Sequence, residues 1–112
     1  MFGKGNEEEK IQKLAEKKHS DKIIKLIGGS DDAKVVTEGL EALAGIADED
    51  SNNFITSAME NANADIRIAA AKAACKVGTD YMKTHVQAML GNEKDSKVAD
   101  AIRPVYDAAF LK

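Results

Sequence analysis

The sequence has no tryptophan, one cysteine and one proline, and its aromatic residues are two tyrosines and three phenylalanines. A single thiol, Cys75, excludes an intrachain disulfide and a thiolate metal cluster. So few rings leave a core of Ala, Ile, Leu, Val and Met, which suits closely packed helices better than a β-sandwich. Runs of β-branched residues bounded by turn signals are missing, which argues against strands. No stretch approaches the roughly 18 apolar residues of a membrane span. Residues 1–7 lack the apolar centre of a signal peptide, so cytoplasmic residence is expected. A basic excess is also lacking. The formal net charge is −3, which opposes a broad nucleic-acid surface.

What is present is an ordinary folding composition. At 112 residues with 44% apolar content the chain fits one domain and is not disordered. Gly3 to Asn6 reads as a flexible lead, which divides the chain into a lead over 1–6 and a single domain over 7–112. Seven helices are expected. The first spans about 7–18, with Glu7-Glu8-Glu9 at its start, where the helix dipole favours acids. Ser20-Asp21 is expected to cap the second, which Gly28-Gly29 ends. Ser30-Asp31-Asp32 precedes the third. A polar loop over Asp48–Asn52 leads to a fourth helix marked by Phe54, Ile55, Ala58 and Met59. The fifth, alanine-rich, follows Asp65 and closes at Gly78. Thr79-Asp80 caps the sixth, and Asp95-Ser96 opens the seventh, where Pro104 is expected to kink the helix near Asp100. Short connections make neighbouring helices antiparallel.

A repeat runs through this order. Asp32-Ala33-Lys34-Val35-Val36, Asp65-Ile66-Arg67-Ile68-Ala69 and Asp95-Ser96-Lys97-Val98-Ala99 share one pattern, at spacings of 33 and 30 residues. An apolar triplet precedes each: Ile23/Leu26/Ile27, Ile55/Ala58/Met59 and Val86/Met89/Leu90. Helix pairs that recur in this way bury their apolar faces by stacking on one another. Ala69, Ala70, Ala73 and Ala74 are small enough for a central layer approached from both sides.

The pattern resembles the HEAT-like repeats of the bacterial phycobilisome-lyase type, most closely in Asp65-Ile66-Arg67-Ile68-Ala69-Ala70-Ala71-Lys72-Ala73-Ala74, and the resemblance covers residues 20–110. It implies an all-α fold, a right-handed α–α superhelix of the HEAT/armadillo kind with about three hairpin repeats. It also implies that Asp32, Asp65 and Asp95 cap helices, and that with Lys34, Arg67 and Lys97 they form a polar ladder along the stack. The loop of Gly28 and Gly29, the unequal spacings and Pro104 depart from the family pattern.

No catalytic set emerges, so an enzyme is not expected, nor a cofactor or a bound metal. His19 and His85 stand in no metal-binding spacing and read as surface histidines. Cys75 reads as a small core residue. Gly28-Gly29 reads as a helix stop, because no phosphate-loop sequence follows. The acidic clusters at Glu7–Glu9 and Asp48–Asp50 lack the spacing of a calcium loop. Lys17-Lys18, Lys22 and Lys25 read as an ordinary wet face. The His-Glu pairs of HEAT-like hydroxylases are absent, as is the tryptophan of HEAT-like DNA glycosylases.

Repeat stacks bind partners along one extended face. By resemblance the helices carrying the triplets line it, which leaves Ile24, Lys25, Asn53, Thr56, Ser57, Glu60, Thr84 and Gln87 as candidate contacts. The expected function is that of an adaptor or scaffold for an unidentified protein. The competing expectations are an accessory subunit for enzyme assembly or tetrapyrrole attachment, and a weak nucleic-acid binder working through the Lys17–Lys25 strip. No membrane partner is expected. The chain is expected to be a monomer, or a weak homodimer through its last helix, where Phe110 and Leu111 either stay exposed or fold back over the stack.

Overall fold

The computed structural model describes residues 2–111, with side chains from Glu7 onward. Seven helices follow in order: α1 Phe2–Glu16, α2 Ser20–Gly28, α3 Ala33–Ile46, α4 Glu49–Ala58, α5 Ala64–Val77, α6 Asp80–Asn92 and α7 Ser96–Phe110. No strand occurs among the described residues.

The helices lie in two layers. The odd-numbered ones pack side by side, α1 on α3, α3 on α5 and α5 on α7. The even-numbered ones form the second layer, each against its odd-numbered neighbours. α3 and α5 are the interior slats, and the small side chains of α5 suit that place. Ala70, Ala71, Ala73 and Ala74 are all buried, so backbones come close on both flanks. Bulk comes from the slats that flank it, α3 and α7, where Leu40, Leu43 and Ile102 are fully buried and Tyr106 is nearly so. Ile23, Ile55 and Val86, which lead the three apolar triplets, are also fully buried. The result is an α–α solenoid of three hairpins, α2–α3, α4–α5 and α6–α7, with α1 as a lone helix completing the odd layer.

Several boundaries differ from those expected. The backbone is helical from Phe2, so α1 starts ahead of Glu7. Gly3 and Gly5 each weaken a helix by about 1 kcal/mol relative to Ala but do not forbid it. At its other end α1 stops at Glu16. There Lys18 takes a left-handed φ of 59°, and the His19 and Lys18 amides donate to the Leu14 and Ala15 carbonyls at 2.9 and 3.0 Å. That pair of bonds closes a helix in the way a glycine usually would. His19, not Ser20-Asp21, occupies the cap position of α2. The Ser20 hydroxyl is turned instead to Asp48, donating to its carboxylate at 2.6 Å.

Asp48 in turn accepts from the Ser51 amide at 2.8 Å and caps α4. The stretch expected as a loop over Asp48–Asn52 is therefore the cap and first turn of that helix. The acids Glu49 and Asp50 stand in that turn, where the dipole favours them.

The repeat register is corrected in the middle unit. Asp32 caps α3 and Asp95 caps α7, each accepting from the amide two residues on. The cap of α5 is Asn63, which accepts from the Asp65 amide at 2.8 Å, and Asp65 lies inside the first turn. Counted between caps the period is 31 and then 32 residues. Burial follows this register. Val35, Gly39 and Leu43 in α3 correspond to Ile66, Ala70 and Ala74 in α5 and to Val98, Ile102 and Tyr106 in α7, and all nine are buried.

Pro104 does not end α7, which continues to Phe110. Pro104 and Asp100 are both exposed, so water can reach the carbonyl that the proline leaves without an amide donor. Phe110 folds back against Tyr106, with ring centroids 5.2 Å apart, while Leu111 stays 59% exposed.

Candidate partner-binding groove

The even layer is unevenly spaced. α2 and α4 pack closely, but α4 and α6 are set wider apart although their partners α5 and α7 are packed together. The gap is a groove of about 530 Å³. Thr56 of α4, with Met59 and Glu60 just past its C-terminal end, forms one wall, and His85, Ala88, Met89 and Asn92 of α6 form the other. Asn61 and Ala62 close one end, and Arg67, Glu93 and Lys94 complete the lining.

Arg67 is the structural centre of this groove. Its helical neighbours at three and four residues are Asn63, Ala64, Ala70 and Ala71, so no acid stands at pairing distance on its own helix. It reaches Glu93 beyond the end of α6 instead, donating from Nε at 3.0 Å and from Nη2 at 3.1 Å. Its Nη1 donates to the carbonyls of Asn61 and Ala62, both at 3.0 Å. Glu93 accepts a further bond from the Asp95 amide at 3.2 Å. One guanidinium thus ties the α4–α5 loop, α5 and the α6–α7 loop together. The side chains are 19% and 7% exposed, so the pair is largely withdrawn from water. The guanidinium holds the Glu93 carboxyl below the usual carboxylate range, and Glu93 in return raises Arg67 above its ordinary value. A planar fork held at four points gives a rigid rim rather than a free binding cation.

This arrangement replaces the expected ladder. Among the described residues the side chains of Asp32, Lys34, Asp65, Arg67, Asp95 and Lys97 make no hydrogen bonds to one another. The Asp32 and Asp95 carboxylates serve their own helices, Asp65 is exposed past its cap, and Lys34 and Lys97 are exposed. Arg67–Glu93 is the ion pair found among the described residues.

The candidate contacts are dispersed. Thr56 and Glu60 line the α4–α6 groove. Ser57 lines a small cleft between α2 and α4, and Lys25 lies on a separate trough between α1 and α2. Gln87 faces α7, donating to the Tyr106 hydroxyl at 2.7 Å. Asn53 and Thr84 are exposed, and Ile24 is half-buried against the core. The residues that sequence reasoning passed over are Met59, His85, Met89 and Glu93. His85 is half-buried, with the Tyr81 ring tilted over it at a centroid distance of 4.5 Å. Only Glu93 had a readable signal, in the lack of a local acid for Arg67.

Cys75 is buried, and burial pushes its thiol up, away from the reactive thiolate. Among the described residues no group of His, Cys, Asp and Glu is gathered as metal ligands would be, and no helix is long and apolar enough to cross a membrane.

No curated protein and no solved structure matches the chain. The family model for HEAT repeats matches residues 20–104, from the first residue of α2 into α7. Stacked antiparallel hairpins with a recurring cap and a shared core agree with that match, and the chain belongs to the HEAT-repeat family.

Proposed function

We propose that this chain is a non-catalytic adaptor that receives a segment of another protein in the α4–α6 groove. HEAT repeats generally mediate protein–protein contacts and are generally non-catalytic. The observation that carries the proposal is the gap in one layer beside an unbroken partner layer, with its rim fixed by Arg67. The lining suits a mixed polar and apolar segment. Met89 offers adaptable apolar surface over the buried Met59, Asn61 and Asn92 offer amide donors and acceptors, and Glu60 and Lys94 oppose one another in charge. The resemblance around Asp65–Ala74 supports the phycobilisome-lyase-like branch of the family, and with it a role as an accessory subunit to another protein's assembly. The proposal includes a cytoplasmic place of work, where Cys75 would stay reduced.

The test is capture from native lysate followed by mass spectrometry, using wild type, Ala88→Arg and Thr84→Arg. Ala88 is exposed in the groove wall, and Thr84 is exposed outside it. A stoichiometric partner lost with Ala88→Arg and kept with Thr84→Arg is the expected result. A partner indifferent to Ala88→Arg removes the groove from consideration.

A further inference from the structure

The first two helices carry the same pentapeptide. Lys10-Ile11-Gln12-Lys13-Leu14 lies in α1 and Lys22-Ile23-Ile24-Lys25-Leu26 in α2, each reading Lys-Ile-x-Lys-Leu. On a helix the first, fourth and fifth positions share a face, and the second points elsewhere. Both isoleucines are buried in the core, at 3% and 0% exposure. The remaining three positions of each copy meet across the antiparallel pair and line one trough of about 620 Å³. Leu14 and Leu26 are half-buried at its floor, and the four lysines are exposed around them. The lining is mostly apolar, which the lysines supply through their methylene stems, with the ammonium groups at the rim.

No carboxylate lines this trough. Glu9, Glu16 and Asp21 on the same helices are exposed elsewhere, and among the described residues none of the four lysines has a carboxylate oxygen within 4.0 Å. Four like charges around an apolar floor, in a chain whose net charge is −3, form a local field opposite to that of the whole molecule. A ligand that satisfies both parts must bring carboxylates to the rim and a bulky apolar group to the floor. We propose that the α1–α2 trough docks an acidic, amphipathic segment of a partner protein, with leucine-like side chains seated between its acids. A nucleic acid has phosphates for the lysines but nothing for an aliphatic floor that lacks stacking rings. A bilayer surface would meet the lysine tips before it reached Leu14 and Leu26. This site is separate from the α4–α6 groove, and either can fail without the other.

The full chain is titrated into a short fluorescein-labelled peptide in which Glu and Asp flank two leucines, and anisotropy is followed. Comparators are the same peptide with Ser for Leu, a single-stranded oligonucleotide, and vesicles of phosphatidylserine and phosphatidylcholine. Saturable binding to the acidic leucine peptide is expected. It should weaken by about tenfold or more in the Lys13→Glu/Lys25→Glu double variant and hold in Lys72→Glu, a charge reversal on α5 outside the trough. All the replaced lysines are exposed, and circular dichroism verifies the fold of each variant. The proposal is overturned if the peptide fails to bind, if the Ser peptide binds equally well, if the double reversal has no effect, or if the oligonucleotide or vesicles bind in its place.

Discussion

Gly39 of α3 lies directly against Ile27 of α2. A Cβ built on it would lie 2.5 Å from Ile27 Cγ2 and 2.6 Å from Ile27 Cδ1. Ile27 is buried and β-branched, so it has little room to turn aside. Gly39→Ala is therefore expected to lower stability by about 1–2 kcal/mol in urea unfolding, with overpacking outweighing the helix-propensity gain of about 1 kcal/mol. Combined with Ile27→Ala its cost should largely vanish, since the two changes share one contact. Ala47 is the converse case. It ends α3 with a φ of 55°, a conformation that opposes any side chain. Ala47→Gly should raise stability by about 0.5–1 kcal/mol in the same measurement. Neither position is legible from sequence, because glycine inside a helix and alanine at its end are both unremarkable until a neighbour or a dihedral angle is known.

At the scale of elements, helix ends are linked by carboxylates whose protonation changes stability. Asp48 is held below its usual range by the Ser20 hydroxyl first, and then by Ser51. Glu93 is held below its range by Arg67. In the unfolded chain both return to about 4, so the unfolded state binds more protons at acid pH. The stability they contribute is present above about pH 4 and is lost as pH falls through their folded values. Ser20→Ala and Arg67→Gln should each flatten the acid limb of a stability-against-pH curve. Glu38 works in the opposite sense. Burial, and Glu8 across the α1–α3 contact, push its carboxyl up. Stability linked to its protonation is full below about pH 4 and is lost as pH rises through its folded value. Glu38→Gln is therefore expected to stabilise at pH 7 and to do little at pH 3.

Helix ends also show how far sequence reading reached. Asp32, Thr79 and Asp95 cap the helices they were expected to cap, because each directly precedes an amphipathic run. At α5 two cap-forming residues stand two apart, and an acid inside the first turn is as favourable to the dipole as one at the cap. The alignment of Ile66 with Val35 and Val98 decides the register, and that is visible only through burial. The α4–α6 groove was not legible at all, since it depends on how far apart two helices of one layer are set.

The whole molecule measures 38 × 25 × 20 Å, with a radius of gyration of 13.5 Å. That is close to the ~13 Å of a globule of this length, so the stack is short enough to keep one core. Even so, its terminal slats have a neighbour on one side only, whereas α3 and α5 are packed on both. Native-state hydrogen exchange should find the strongest protection along α3 and α5, with α1 and the end of α7 opening first. Uniform protection across all seven helices would mean that the repeats do not behave as a linear array.

The Arg67–Glu93 pair matters mechanically because of where it lies. With the odd layer packed as a closed row and the even layer set wider between α4 and α6, a swing of the α6–α7 hairpin about the row would change the width of the gap. The guanidinium, fastened to the loops on either side, would resist that swing.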